Sequence, residues 1–417
     1  MKKSTLWSRS AIRLAGAAVC ALTISPMAAR ADVVLNWHAT MTSVINVPPF
    51  PGARFAAITQ LAVFEAVNAI TREYAPYLGT ITAPDGASPE AAAAAAAHRV
   101  LRTYFSAQSA AIDAAYATSL GEIADGQAKI DGVATGEAAA AAMIALRASD
   151  GSAPAESYLP STTASGQWQL TAGCSATGGS NRHWGKVRPF ALESAGQFRP
   201  GPPPLLTSGE YRKDFIELVT SGGIDSAVRS PDRTDIALFY ARLSPVAWAN
   251  SAARQLAAAQ GGSLSRNARA LALLNMALSD AAVATFEAKY FYAFWRPETA
   301  IHNAGTDGND KTNADAGFIP LVSAPCFPGY PSNHATVSYA AREVLERLFG
   351  PSGHTITLST SLLPGVTLNY SDFKGITDDV DDARVFGGIH FRFDQEAGGK
   401  LGKSVGAYVV KNYLRGY

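Results

Sequence analysis

The stretch SRNARALALLNMALSDAAVATFEAKYFYAFW, residues 265–295, decides the fold class, because its alanine- and leucine-rich composition predicts one long helix. Further helices are predicted on both sides of it, at residues 208–220, 230–260, 333–349 and 383–414. Residues 355–363 alternate enough for one short extended piece, and strand signals are otherwise scarce. We therefore predict an all-α fold.

The upstream half also favours helices. Apolar residues recur at helical spacing over residues 53–70. Residues 88–148 are alanine-rich, which predicts two helices, with Ser88 as the cap of the first and Pro89 as its first residue.

The pattern breaks over residues 151–206, which are rich in glycine and proline and predict a long irregular loop. Two aromatic residues, Trp168 and Trp184, lie there beside a basic cluster of Arg182, His183, Lys186 and Arg188. One interpretation is an ordered lid over a site, and the other is an irregular surface excursion. The sequence favours neither.

The first 31 residues are typical of a secretory signal, with a basic start, an apolar run at Leu14–Ile24 and a small-x-small site ending at Ala31. We expect a secreted or periplasmic mature chain with no membrane span, although a retained anchor is the alternative. The mature chain is expected to have an N-terminal helical region, 32–206, and a C-terminal catalytic region, 207–417. The net charge of +1 does not indicate a nucleic-acid partner or binding to a membrane surface.

Cleavage would leave two cysteines, Cys174 and Cys326. They have no near partners, so they form no zinc or redox motif. An oxidising compartment would permit a disulfide between them, and the sequence leaves that pairing open.

Three clusters in the last third of the chain carry chemistry. The first is Lys289 with Arg296, seven residues apart, which would project both cations from one helix face. Two cations among aromatic residues are costly to bury without an anion. The alternative is a pair of long side chains whose charged ends reach solvent at a helix end.

The second cluster is Ser332-Asn333-His334, which follows Pro331 and opens the predicted helix. Ser332 is a good N-cap, and the first amides of the helix would form an anion site. His334 could then protonate an oxygen of that anion. A capping serine beside a surface histidine is the simpler interpretation.

The third cluster is Arg384, Gly388, His390 and Asp394, all expected on the last helix. His390 and Asp394 are four residues apart, so a carboxylate could fix the imidazole tautomer. Arg384 offers a planar fork of donors to an oxyanion, although ordinary ion pairs would explain it too.

The order Lys-x6-Arg-Pro, Pro-Ser-x-His and Arg-x5-His-x3-Asp resembles the vanadium haloperoxidase and type 2 phosphatidic acid phosphatase superfamily. The resemblance is tightest over residues 280–411 and weaker over 184–204. It implies helical bundles, with Lys289, Arg296, Ser332, Asn333 and Arg384 binding a tetrahedral oxyanion. It makes His390 the ligand of vanadate or the nucleophile, with Asp394 behind it, and His334 the acid–base.

Two departures from the pattern are visible. Asn333 stands where the family usually has glycine, and Ala383 stands where it often has serine. A second match, Pro351-Ser352-Gly353-His354, leads into a β-like run and has no helix after it, so we prefer His334.

Three functions remain open. The first is a peroxidase that uses vanadate, hydrogen peroxide and halide, with Lys289 polarising the bound peroxide, to form hypohalous acid. The second is a cofactor-free phosphatase that acts on a phosphate ester through a phosphohistidine. The third is an oxyanion-binding protein without catalysis, which could dispense with His334 or Asp394 although both are present.

Phe327 favours the peroxidase slightly, because chloride-oxidising relatives have a phenylalanine at this place in the halide pocket. Phe286 stands where such relatives have tryptophan, which argues against it. Core packing would explain Phe327 equally well. Asp232 and Asp235 are the candidates for an acid that orients His334.

Overall fold

Helices make up most of the backbone described by the computed structural model, which covers residues 32–417. In chain order they are α1 (Val33–Val44), α2 (Pro49–Thr71), α3 (Pro89–Tyr104), α4 (Ser109–Gly121), α5 (Gln127–Arg147), α6 (Gly209–Ser221), α7 (Pro231–Arg242), α8 (Pro245–Gln260), α9 (Leu264–Tyr292), α10 (Pro297–His302), α11 (Asn333–Phe349), α12 (Phe373–Phe386) and α13 (Arg392–Asn412). The all-α prediction is confirmed. The predicted signal segment, residues 1–31, and its cleavage site lie outside the described residues.

Most helices start where the sequence supplies a capping side chain or a proline. The side chains of Ser88, Ser208, Ser244, Ser263 and Ser332 each accept a hydrogen bond from the amide three residues later. Each bond satisfies an amide that has no partner within its helix. These boundaries are therefore set by local chemistry.

The helix α9 forms the centre of the fold and packs against α2, α11 and α13. Its run from Ala268 to Ala288 is almost wholly buried. The alanines Ala91–Ala97 of α3 are also fully buried. Residues Ala31–Tyr417 form one compact unit, and the predicted division at residue 206 stays a prediction.

The helices α11 and α13 approach closely because glycine recurs every four residues along α13. A Cβ atom at Gly402 would lie 2.1 Å from the Thr336 carbonyl oxygen, and one at Gly398 would lie 2.7 Å from the Ser332 carbonyl oxygen. No larger side chain fits at either position without movement of the backbone. This contact holds the start of α11 against the start of α13.

Three stretches contain one more helix, or one more break, than predicted, and one of them is 88–148, where two helices were expected. Residues 230–260 form two helices, because Ser244 and Pro245 start a new one at α8. Residues 88–148 form three, α3 to α5. The predicted helix 383–414 is wrong, because the chain leaves α12 at Phe386 and α13 begins only at Arg392. Gly388 adopts φ +76° in this break.

A hairpin of β1 (Ser352–Ser359) and β2 (Thr367–Asp372) follows α11, with Ile356 opposite Tyr370 in antiparallel register. The extended piece predicted at residues 355–363 is present with an earlier start, and β2 was not predicted. His354 lies on β1, where its Nε2 bonds to the Gly350 carbonyl oxygen at 2.9 Å. It opens no helix, as expected.

The irregular segment 151–206 packs closely onto the end of α9. Trp168 and Trp184 are buried. The Asp280 carboxylate accepts the amides of residues 190, 191 and 192 at 2.7–3.0 Å. Cys174 and Cys326 form a disulfide, which ties the segment to the loop before α11. The Trp168 amide donates to the Ala293 carbonyl oxygen at 2.7 Å, so the segment also contacts the chain where α9 ends. The lid interpretation stays a prediction.

The basic cluster of that segment contacts the segment itself and the end of α5, where Arg188 donates to the Leu146 carbonyl. Lys186 pairs with Glu156, and Arg182 lies over the Tyr158 ring. The Nδ1 atom of His183 accepts the Glu156 amide. These contacts help to order the segment.

Two helices, α2 and α9, are long and apolar enough to cross a membrane by length and composition alone. Their most apolar stretches are 83% and 94% buried within the protein. The packed core therefore accounts for the apolar character of both helices.

Candidate active site

Lys289 lies in the last turn of α9, and Arg296 caps α10 four residues after α9 ends. The prediction that both cations share one helix face is wrong, because the chain turns at Ala293, which adopts φ 45°. The two side chains still converge on one loop. Lys289 Nζ donates to the carbonyls of Pro328 and Gly329 at 2.8 and 2.7 Å, and Arg296 Nε donates to Phe327 at 2.9 Å.

The loop that accepts these bonds leads directly into α11. A Cβ atom at Gly329 would lie 2.7 Å from the Trp295 carbonyl oxygen, so only glycine allows this approach. Ser332 then caps α11, and its own amide donates to the Asp394 carbonyl oxygen at 3.0 Å. The start of α11 is thereby fixed to the start of α13.

His390 and Asp394 touch, although no helix joins them. His390 lies before α13, and Asp394 lies in its first turn, where its Oδ2 accepts the Phe391 amide at 3.1 Å. The same oxygen lies 2.8 Å from His390 Nδ1. The predicted contact is confirmed, but its helical explanation is wrong, because capping of α13 brings the carboxylate to the imidazole.

Gly388, two residues before His390, is required by the packing of the fold. A Cβ atom at Gly388 would lie 2.4 Å from the Gly222 carbonyl oxygen. The backbone at Gly222 therefore packs directly against Gly388, and only glycine allows this approach.

Arg296 fixes the other side of the His390 ring. Its Nη1 lies 3.0 Å from His390 Nε2 and also donates to the Ile389 carbonyl. Since an arginine can only donate, Nε2 must accept, and the proton sits on Nδ1 facing Asp394. Both contacts select the same neutral tautomer.

His334 has a partner that the sequence did not indicate. It hydrogen-bonds to the main-chain carbonyl of Tyr240, at the end of α7, and Arg384 Nη1 reaches the same carbonyl at 3.2 Å. Asp232 and Asp235 are exposed at the other end of α7, so neither is the orienting acid. A carbonyl carries no signal in a side-chain pattern.

Positive charge dominates the site. Lys289 and Arg296 have no exposed surface, and Arg384 is 3% exposed. Burial lowers the pKa of Arg296 to about 10 and of Arg384 to about 9, and it lowers the pKa of Lys289 well below its ordinary range. Burial, then Arg296, also lowers the pKa of His390, so the imidazole is neutral. Burial raises the pKa of Asp394, against the pull of the cations.

Three buried cations therefore face one carboxylate, and such an excess is costly unless an anion enters. Within residues 32–417 no group of three or more His, Cys, Asp or Glu side chains suits a metal cation. The chemistry of the donor set points to an anionic ligand.

The comparisons with known proteins agree with this site. Residues 269–416 match the family model of the VCPO second helical-bundle domain. The vanadium chloroperoxidase of Curvularia inaequalis is 28% identical over 192 residues, which cover 38% of this chain and 31% of that protein. The match thus spans about a third of the length of the curated relative.

The solved structures extend the likeness to nearly the whole chain. A bacterial vanadium-dependent iodoperoxidase is 25% identical with a TM-score of 0.75, over 92% of this chain and 96% of that one. A holo-type bacterial vanadium-dependent chloroperoxidase shares the fold, with a TM-score of 0.70 at 16% identity over 93% of each chain. The C-terminal third of the chain is thus similar in sequence to vanadium haloperoxidases, and nearly the whole chain shares their fold.

These relatives imply vanadate as a cofactor, and the residues of the site fit it. Arg296 Nη2, Arg384 Nε and both side-chain polar atoms of Asn333 are buried with no hydrogen-bond partner. Buried polar groups are normally paired, so these atoms call for a polar ligand between them. Ser332, whose hydroxyl caps α11, stands at the same helix start.

A cluster of three aromatic rings lies against the cations of the candidate site. The ring centroids of Phe286 and Phe327 lie 5.3 Å apart, and the Phe50 centroid lies 4.6 Å from that of Phe286 and 6.3 Å from that of Phe327. The Phe327 ring lies 5.2 Å from Lys289 Nζ and 5.0 Å from the Arg296 guanidinium carbon. Sequence reasoning missed Phe50, because a phenylalanine between two prolines at a helix start gives no functional signal.

Proposed function

We propose that this protein is a vanadate-dependent haloperoxidase that oxidises halide with hydrogen peroxide to hypohalous acid. One observation carries the proposal. His390, held as its Nδ1–H tautomer by Asp394, presents Nε2 inside a buried cluster of three cations, and Arg296 and Arg384 each keep one unpaired donor there. The named relatives, which include an iodoperoxidase and chloroperoxidases, support this choice.

In this proposal Lys289, Arg296 and Arg384 hold the oxygens of vanadate, together with Ser332 and the amide of Asn333. His390 ligates it through Nε2, for which Arg296 Nη1 must give up its present contact. Bound vanadate supplies the activation of hydrogen peroxide toward halide. The protein supplies charge, orientation and exclusion of water.

His334 handles protons in the proposed reaction. Its pKa lies well below the ordinary range, first because of burial and then because Arg384 lies near. A neutral imidazole can accept a proton from hydrogen peroxide and return it to a leaving oxygen. The Tyr240 carbonyl holds one ring nitrogen, which leaves the other for this transfer.

The rings of Phe50, Phe286 and Phe327 are proposed as the halide wall. Aromatic rings carry positive edges, which can face an anion, and they exclude water from the cations behind them. We leave the halide open, because the wall is apolar and offers no donor that would select one ion.

We also propose that the mature protein works outside the cytoplasm. The basic and apolar start of the chain supports this, as does the Cys174–Cys326 disulfide, because such bonds persist in oxidising compartments.

The decisive experiment uses the purified mature chain with and without orthovanadate. Oxidation of iodide, bromide and chloride by hydrogen peroxide is measured beside hydrolysis of an aryl phosphate. We expect vanadate to switch on halide oxidation, His390→Ala to abolish it and His354→Ala to leave it unchanged. Robust phosphate release with no halide oxidation at any vanadate concentration would favour the phosphatase and reject the peroxidase.

A further inference from the structure

The unpaired atoms of the candidate site include acceptors as well as donors. Arg296 Nη2, Arg384 Nε and Asn333 Nδ2 are donors without a partner. Asn333 Oδ1 and Asp394 Oδ1 are acceptors without a partner. An anion that carries only bare oxygens can satisfy the donors but not the acceptors.

Asn333 is the neutral residue in this set. It is the first residue of α11 and is 4% exposed, with Ser332 and His334 of the site on either side of it. Neither polar atom of its amide has a hydrogen-bond partner. Leaving a buried donor and a buried acceptor unpaired is costly, so a ligand that forms a hydrogen bond with each of them is strongly favoured.

The two acceptors differ in what they already hold. Asp394 Oδ2 is occupied by the His390 ring and the Phe391 amide, and its Oδ1 remains. Asn333 makes no side-chain bond at all and has one donor group beside one acceptor. A tetrahedral anion with one hydroxyl matches that amide, because its bare oxygen accepts from Nδ2 and its hydroxyl donates to Oδ1.

We propose that this pocket selects a tetrahedral dianion that keeps one hydrogen, such as hydrogenphosphate or hydrogenvanadate, over sulfate, and that Asn333 makes this selection. The inference rests on the proposed oxyanion site and adds the residue that discriminates among tetrahedral dianions there. Sulfate has the same shape and charge but no hydrogen, so it places a bare oxygen against Asn333 Oδ1. Sites built around a ligand hydroxyl reject analogues without it strongly, because the protein group is then left unpaired.

The test is calorimetric titration of the vanadate-free mature protein with sodium phosphate and with sodium sulfate at pH 8, where both anions are largely dianions. We expect phosphate to bind roughly 100-fold or more tightly than sulfate. Asn333→Gly and Asn333→Ala should reduce that ratio by about 10-fold or more, mainly through weaker phosphate binding. Two variants are used so that the result does not depend on the folding of one.

Gln395→Met is the matched control. Gln395 is another fully buried amide with both atoms unpaired, and it lies on α13 beside Asp394. We expect its variant to keep the phosphate-to-sulfate ratio of the wild type.

Each other outcome has a distinct meaning. A wild-type protein that binds neither anion would reject the proposed function along with this inference. Wild-type protein that binds both anions equally, or folded Asn333 variants with an unchanged ratio, would reject the selection by Asn333 alone. An equal loss of selectivity in Gln395→Met would also reject it, because the effect would then arise from the packing of buried amides.

Discussion

Replacing Arg384 by methionine should stabilise the protein in the absence of an oxyanion. In the site Arg384 Nη1 donates to the Tyr240 carbonyl, which His334 also reaches, and Arg384 Nε has no partner. Methionine keeps much of the length and apolar stem of arginine but carries no charge. The Tyr240 carbonyl would still have His334 as a donor.

The magnitude follows from the pKa. Burial, then Arg296, lowers the pKa of Arg384 to about 9. At roughly 1.4 kcal/mol for each pH unit, the charged form costs on the order of 5 kcal/mol in the folded protein. This cost is fully present at pH 7 and is relieved only as the pH rises through about 9. Because methionine is smaller than arginine, lost packing contacts should destabilise the variant by about 1–2 kcal/mol and offset part of this gain. The net gain is about 3 kcal/mol, or a few degrees in the unfolding temperature.

The assay is calorimetric unfolding at pH 7 in a buffer without phosphate, sulfate or vanadate, followed by addition of phosphate. At 100 times its Kd, phosphate should stabilise the wild type by about 2.7 kcal/mol. Arg384→Met should gain much less, because one of the binding cations is gone. Arg347→Met is the control, since Arg347 forms an exposed pair with Glu343 and its loss should change stability by less than about 1 kcal/mol. An anion-free Arg384→Met protein that unfolds several degrees below the wild type would refute the reasoning, and so would an undiminished response to phosphate.

Further predictions concern the imidazoles and the disulfide. Asp394→Asn should lower vanadate affinity by about 10- to 100-fold, because the His390 tautomer is no longer fixed; equilibrium dialysis measures this, and unchanged affinity would contradict it. His334→Ala should lower kcat for halide oxidation by about 10²- to 10⁴-fold while His354→Ala keeps it, and the reverse pattern in steady-state kinetics would show that the wrong motif was chosen. The double variant Cys174→Ser/Cys326→Ser should lose about 2–5 kcal/mol in urea unfolding, as should the reduced wild type, whereas equal stability would mean that packing alone holds the segment.

The charged residues of the site could be predicted because each carries its own chemistry in the sequence. Lys289 and Arg296 are cations in an aromatic-rich stretch, Arg384 precedes His390 at a spacing that suits an oxyanion site, and the structure buries all three within one site. The Ser332 cap also follows from local chemistry, because a serine before a helix satisfies an amide only a few residues away.

The explanations for their convergence could not be predicted. We expected helical spacing to align Lys289 with Arg296 and His390 with Asp394, and in both places the helix is interrupted. The contacts arise instead from a turn at Ala293 and from the capping of α13. Helical periodicity describes neighbours within one helix, and it is silent on where the chain goes once that helix ends.

By itself, then, the sequence determined the helical class, many of the helix starts and the set of cations and imidazoles, because these depend on residue type and on contacts a few positions away. Only the tertiary structure decided that the Tyr240 carbonyl orients His334, that Arg296 holds His390, that Phe50 joins the ring cluster and that Cys174 pairs with Cys326. Each of these contacts joins segments roughly 100 residues or more apart, or uses a backbone group that every residue shares. Their geometry depends on how α7, α9, α11 and α13 pack, and no local pattern records that.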